Sequence, residues 1–184
     1  MTAFYANKPL YLSSDWHLGH DNVINYSNRP FAHIEEMHEA LIRNWNAVVK
    51  PDDEAFYLGD FVWKNRYLDV LKQLNGNIHL IAGNHDNSTV RKHVGWASVD
   101  YYARIMVGDQ KIILSHYPIE CWDGMEKGSL HFHGHTHANI SHAVIDLLGR
   151  FDVGVDSHAM RPISAQDLIL RAQNSKLKLK YLGE

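Results

Sequence analysis

Five short blocks of oxygen and imidazole donors punctuate this chain in a fixed order: Asp15-Trp16-His17, Gly59-Asp60, Gly83-Asn84-His85-Asp86, His116, and Gly134-His135-Thr136-His137. Most follow an apolar run with the composition of a strand, as Ile78-His79-Leu80-Ile81-Ala82 does before the third block. Donors this far apart can meet only if several strands deliver their ends to one edge of a sheet. Hard oxygen donors mixed with imidazole suit Mn²⁺, Zn²⁺ or Fe better than Ca²⁺ or a four-cysteine structural zinc.

The intervening sequence supplies the expected elements. Pro9 to Ser14 reads as a first strand that ends at Asp15. After a loop from Asn22 to Pro30, the residues Ile34, Met37, Leu41, Ile42, Trp45, Val48 and Val49 recur at helical spacing and stop before Pro51. Glu54 to Leu58 is a second strand, a helix follows from about Arg66 to Leu74, the third strand runs to Ala82, and a short helix begins after Asp86. Beyond that the pattern turns to strands: Tyr101 to Val107 and Lys111 to Ser115 about a turn at Gly108-Asp109, then His131 to His133, Ala143 to Leu148 and Phe151 to Val155. Ile163 to Ala172 reads as a helix introduced by Pro162. Lys176 to Tyr181 alternates with period two, which predicts a half-buried strand with its lysines in water. Alternating strands and helices followed by a strand-rich half predict two sheets packed face to face with helices outside.

At 184 residues, with 45% hydrophobic and 21% charged residues, the chain is expected to form a single domain over 1–184 with one well-buried core. Cys121 is the one cysteine, so no intrachain disulfide forms. The absence of an apolar leader near Met1 and of any long apolar run points to a cytoplasmic protein without a membrane span. The net charge of −3, with Lys and Arg dispersed, supplies no global drive toward duplex nucleic acid. No obligate protein partner is evident.

The order and spacing of the five blocks resemble the calcineurin-like metallophosphoesterase superfamily, of the small bacterial and phage type. The resemblance spans Tyr11 to at least Asp156 and includes the Val153-Gly154-Val155-Asp156 tail. It implies a four-layer αββα sandwich of two mixed sheets with the metal site at one edge. It also implies two divalent cations, Mn²⁺ by preference with Fe, Zn or Ni as alternatives. Carried over by position, Asp15, His17, Asp60 and His137 would hold the first, and Asp60, Asn84, His116 and His135 the second. A metal-bridging hydroxide would then attack a phosphate ester, with two cations about 3.5–4 Å apart clamping the phosphoryl oxygens. His85 is the candidate proton donor to the leaving oxygen, and Asp86 either orients it or caps a helix.

If His135 and His137 sit in an extended segment they point the same way, and one block serves both metals. His131 and His133 read as core or supporting groups, and Asp156 either supports a ligand histidine or ends a strand. His20 and Arg29 are candidate substrate contacts, Arg29 as a fork on a phosphate. Trp16, Trp63, Tyr117 and Trp122 either stack on a nucleobase or pack in the core, and Trp122 to Gly128 forms a candidate rim. The preferred substrate class is a phosphodiester, in a nucleotide or at a nucleic-acid end. A phosphomonoesterase acting on a phosphoprotein or small metabolite is the enzymatic alternative. A catalytically silent protein-binding scaffold is the alternative of another class, and its expected sign, a broken ligand set, is absent here.

Overall fold

The computed structural model describes residues 2–4, 8–139 and 149–182. Among these residues, ten strands form two five-stranded sheets. The first has the order β10-β2-β3-β4-β5, built from β2 (Leu10–Ser13), β3 (Glu54–Tyr57), β4 (Asn77–Ile81), β5 (Ser98–Asp100) and β10 (Ile163–Ser164). Strands β2 to β5 run parallel, and β10 closes the edge antiparallel to β2. The second has the order β1-β6-β7-β8-β9, from β1 (Thr2–Phe4), β6 (Tyr102–Val107), β7 (Gln110–Ser115), β8 (Leu130–His133) and β9 (Arg150–Asp152). Only the β6–β7 hairpin is antiparallel there. Both sheets are thus mixed, and helices flank them.

Two apolar cores explain the layering. Alternation along the strands sends one set of side chains between the sheets, where Leu10, Leu12, Phe56, Leu58 and Ile81 meet Ile105, Ile112, Leu114, Leu130 and Phe132. The opposite set, with Ala55, Tyr57, Ile78 and Leu80, packs on the outer helices. Helix α2 (Ile34–Val48) supplies Met37, Leu41 and Trp45 from one face, and a 3₁₀ helix at Asn65–Gln73 adds Leu68, Val70 and Leu71. Each such side chain contributes about 1.5–3 kcal/mol when fully buried. Helix α2 starts where His33 Nδ1 accepts the Glu36 N–H, and one-turn helices α1 (Val23–Tyr26) and α3 (Ser88–Arg91) complete this side.

On the outer face of the second sheet, the described residues provide the 117–129 segment with a single 3₁₀ turn, Met125–Lys127. Within this segment Trp122 is held in the fold rather than at a rim. Trp122 is buried and donates to the Ser129 carbonyl at 3.0 Å, and its ring lies 5.5 Å from that of His131.

The period-two pattern at Lys176 to Tyr181 is not a strand: α4 runs continuously over Ala165–Leu182. Leu and Lys are good helix formers, and their alternation carries no weight against a helix already under way. The expected strand at Ala143 to Leu148 lies outside the described residues. No helix among the described residues is long and apolar enough to cross a membrane.

Candidate metal centre

All five blocks leave the carboxyl ends of strands on one edge of the sandwich: Asp15 after β2, Asp60 after β3, Asn84 after β4, His116 after β7 and His135 after β8. Parallel strands of both sheets therefore point their ends at a common crevice.

The donors gather in two groups. Asp15, His17 and His137 each offer an atom within 4.8 Å of the others, and so do Asp60, His116 and His135. Asp60 lies between the groups, its Oδ2 standing 3.6 Å from His17 Nε2 and 3.5 Å from His116 Nε2. Asn84 joins the second group, with Oδ1 3.0 Å from His116 Nε2. Sequence and structure thus bring together the same seven residues.

The backbone is bent to achieve this. Asp15, His17, Asp60, His135 and His137 all have φ between 49° and 70°. Asp and His tolerate this left-handed region better than most residues, at a cost of order 1–3 kcal/mol each. His135 and His137 therefore do not lie in an extended segment. Strand β8 ends at His133, and the turn that follows sends His135 to Asp60 and His116 and His137 to Asp15 and His17. One block serves both groups through that turn. Gly134 is needed there, because a Cβ would stand 2.6 Å from Asp15 Oδ2 and collide with Ser14. Gly83 is equally constrained, facing the Asp60 carboxylate and, at 2.8 Å, its backbone nitrogen.

These donors fit divalent cations. Among the described residues Asp15 Oδ1 is buried without a hydrogen-bond partner, and the Nε2 atoms of His17 and His137 approach to 3.1 Å. A buried carboxylate oxygen left unpaired is costly unless a cation sits beside it. Burial pushes Asp15 up to about 7, against the lowering influence of His116, His137 and Ser14. Burial first, then His137 and Arg29, lowers His17 to about 2, leaving a neutral imidazole ready to ligate. Burial also lowers His135. It opposes charge on His137 as well, but there the Asp156 hydrogen bond and the Asp15 charge prevail and raise the pKa.

Support comes from residues with weak sequence signals. Asp156 accepts from His137 Nδ1 at 2.7 Å, so it supports a ligand histidine rather than merely ending a strand. Ser27 Oγ also lies 3.2 Å from that nitrogen, and Ser14 Oγ donates to Asp15 Oδ2 at 2.5 Å. Asp152 holds the last block by accepting from Thr136 Oγ1 at 2.5 Å. His38 takes the Gly19 N–H at 2.9 Å and fixes the turn after His17. Its only sequence signature is that of a buried helix position.

Two expected roles change, and for two tryptophans one of the open readings is realised. Arg29 is 4% exposed, with its guanidinium spent on Asp156 and on the carbonyls of Asp15 and Trp16. It cannot fork onto a phosphate. Asp86 neither touches the His85 ring nor caps a helix, the cap of α3 being Asn87. Its carboxylate accepts from the backbone of Gly83 and Asp60 at 2.8 Å and of Phe61 at 3.1 Å, riveting two ligand loops together. Trp16 and Trp122 are core residues. Trp16 packs edge-on to Trp45 and Tyr57 and donates from its ring nitrogen to Ser13.

His131 is core as well, accepting the Ile119 N–H at Nε2 and bonding the Ile113 carbonyl through Nδ1. His85 and His20 do reach the crevice. The side chain of His85 is 38% exposed with Nε2 3.9 Å from Asp60 Oδ2. His20 lines a cleft beside His17 and His137.

Comparison with known proteins finds relatives over most of the chain. An uncharacterized protein of Methanocaldococcus jannaschii is 38% identical over 136 residues, spanning 72% of this chain and 71% of that protein. The chain belongs to the same family as that archaeal protein. The gene 66 protein of Mycobacterium phage L5 is 29% identical over 160 residues, or 70% of this chain and 77% of the phage protein. The structure of a protein of unknown function from Aquifex aeolicus superposes with a TM-score of 0.72 at 27% identity, covering 89% of this chain and 98% of that one. No family model matches the sequence.

Proposed function

We propose that this protein is a calcineurin-like metallophosphoesterase, a dinuclear phosphodiesterase acting on nucleotide or nucleic-acid-end diesters. The observation that carries the reading is the place of Asp60, whose Oδ2 lies within 3.6 Å of a histidine of each donor group. A shared carboxylate is what two adjacent cation sites require. Asp15, His17, Asp60 and His137 would hold one cation, and Asp60, Asn84, His116 and His135 the other. Divalent cations bound there would supply water activation near neutral pH and neutralise charge on the phosphoryl oxygens.

The chain's own residues do the rest. Asp86 and Gly83 hold the Asp60 and Asn84 loops in register, and Asp156 and Arg29 fix the His137 ring. His85, at the accessible side of Asp60, delivers a proton to the departing ester oxygen as the P–O bond breaks, an effect typically worth ~10²–10⁴-fold. The diester preference is supported by a crevice open on both flanks, with Trp63 at 46% and Tyr117 at 50% exposure beside the two donor groups.

The test is hydrolysis of bis-p-nitrophenyl phosphate by chelator-stripped protein, with Mn²⁺ restored and an Asp60→Asn variant alongside. Turnover that returns with Mn²⁺ and is lost in the variant is the expected result. Cleavage of a monoester but not of the diester would overturn the diester preference, and inertness toward both would overturn the enzymatic reading.

A further inference from the structure

We propose that the cleft beside Asp15, His17 and His137 is a specificity subsite for a nucleobase and that Trp63 is the ring on which the base stacks. The inference rests on the phosphodiester reading and deepens it by naming what one side of the ester carries.

The cleft encloses about 290 Å³ and is lined by His17, His20, Tyr26, Trp63, His85 and His137 among others. It opens directly on one donor group, so a phosphate held there would place its ester substituent in the cleft. Trp63 is the anomaly of this region. The other four tryptophans, Trp16, Trp45, Trp96 and Trp122, are at most 7% exposed, whereas Trp63 is 46% exposed. Leaving so large an apolar ring in water forfeits the gain that the others realise by burial.

Its position is nevertheless fixed. The Trp63 N–H donates to the Leu18 carbonyl at 2.9 Å, and Val62 bridges Leu18, so the loop that carries His17 also sets the tryptophan. Two imidazoles steady the ring: His20 at 4.2 Å and 86°, and His85 at 4.7 Å and 50°. A platform already ordered in the free protein loses little entropy when a ligand stacks on it.

The lining also says what kind of ring fits. His20, Ser27 and Asn139 border the same space and give it polar atoms. A nucleobase has both a π face for Trp63 and a polar edge for these side chains, and base–aromatic stacking tolerates any base. Selectivity for aromatic over alkyl esters is therefore expected, with little discrimination among bases.

The experiment is equilibrium binding in the presence of Mn²⁺, comparing a nucleoside 5′-phosphonate, whose carbon link resists hydrolysis, with methylphosphonate. Wild-type protein, Trp63→Ala, Trp63→Phe and Tyr117→Ala are titrated in parallel. The nucleoside phosphonate should bind wild type roughly 5- to 150-fold more tightly than methylphosphonate. Trp63→Ala should erase that preference while leaving methylphosphonate binding within about twofold, Trp63→Phe should keep part of it, and Tyr117→Ala should keep it all. Equal binding of both phosphonates by wild type would overturn the inference. So would a preference that survives Trp63→Ala or vanishes in Tyr117→Ala, or a Trp63→Ala variant that loses methylphosphonate too. Failure of wild type to bind either phosphonate would sink the phosphoester reading itself, an outcome separable from the others because they leave methylphosphonate binding intact in wild type.

Discussion

Arg29 grips Asp156 with two parallel bonds, Nε to Oδ1 and Nη2 to Oδ2, both 2.8 Å, and both side chains are almost wholly out of water. The pair lies behind the metal edge, and Asp156 passes the restraint to His137. Arg29→Ala would leave a buried carboxylate without its counter-charge, at a cost of about 3–5 kcal/mol in unfolding free energy measured by urea titration. Arg29→Lys should recover only part of this, because an ammonium cannot reproduce the fork or reach the Asp15 and Trp16 carbonyls as well. A loss below about 1 kcal/mol would show that the fork is not structural.

Asp86 invites a sharper separation of roles. Its carboxylate satisfies three backbone N–H groups in the Asp60 and Asn84 loops. Burial raises its pKa despite those bonds. Asp86→Ala strands buried donors at about 1–3 kcal/mol each. It should also weaken Mn²⁺ binding by about 10- to 100-fold, as loss of a group that orients ligands does. Metal titration by calorimetry reads this directly. If Asp86 served instead to tune His85, Mn²⁺ affinity would stay at the wild-type value and only turnover would fall.

Much of this was legible in the sequence because ligands and strands leave strong local patterns. Each of β2, β3, β4, β7 and β8 is an apolar run with a donor block behind it, and the family resemblance picks seven donors from those blocks. What escaped depends on three-dimensional context. The supports Ser14, Ser27 and His38 carry no periodic signal, since one hydrogen bond across the fold leaves no trace in neighbouring residues. Arg29 and Asp86 were recognisable as charged groups near the blocks, but charge alone does not say whether a side chain faces substrate or its own backbone. The left-handed turns at His135 and His137 gave the expected sharing of one block by an unexpected geometry. Strands β5 and β10, three and two residues long, are too short for alternation to show.

Buried imidazoles should set the acid limb of stability in the metal-free protein. Burial holds His17 at about 2 and His131 at about 3, so both are neutral in the fold. The unfolded chain binds a proton at each as pH falls through about 6.5. A folded-state pKa below the unfolded value means that the unfolded state binds more protons in that window, so stability drops toward acid. Asp15 acts in the opposite sense. Raised to about 7, it keeps its proton in the fold between about pH 4 and 7, and its contribution is lost as pH rises through 7. The two histidines outweigh it, each worth about 1.4 kcal/mol per pH unit inside its window. Urea unfolding in chelator should therefore give a lower free energy near pH 5 than near pH 6.5, and His131→Asn should shrink the difference. A flat profile would mean that the buried histidines are protonated in the fold.

The proton assigned to His85 has a signature that no positioning role would share. A leaving group of low basicity, such as p-nitrophenolate, departs with little help, whereas a sugar alkoxide needs a proton as the P–O bond breaks. His85→Ala should therefore lower kcat for a dinucleotide by about 10²–10⁴-fold while reducing that for bis-p-nitrophenyl phosphate far less. Mn²⁺ content should be unchanged, because His85 belongs to neither donor group and contacts Asp60 only at 3.9 Å. Its backbone N–H does bond Asp60 Oδ1 at 2.9 Å, but that contact survives truncation of the side chain. Equal losses on both substrates would assign His85 to phosphate binding instead, and lost Mn²⁺ would make it a ligand. The comparison of two leaving groups in one variant thus decides between proton transfer and either alternative, with the chain's fold and metal load held constant.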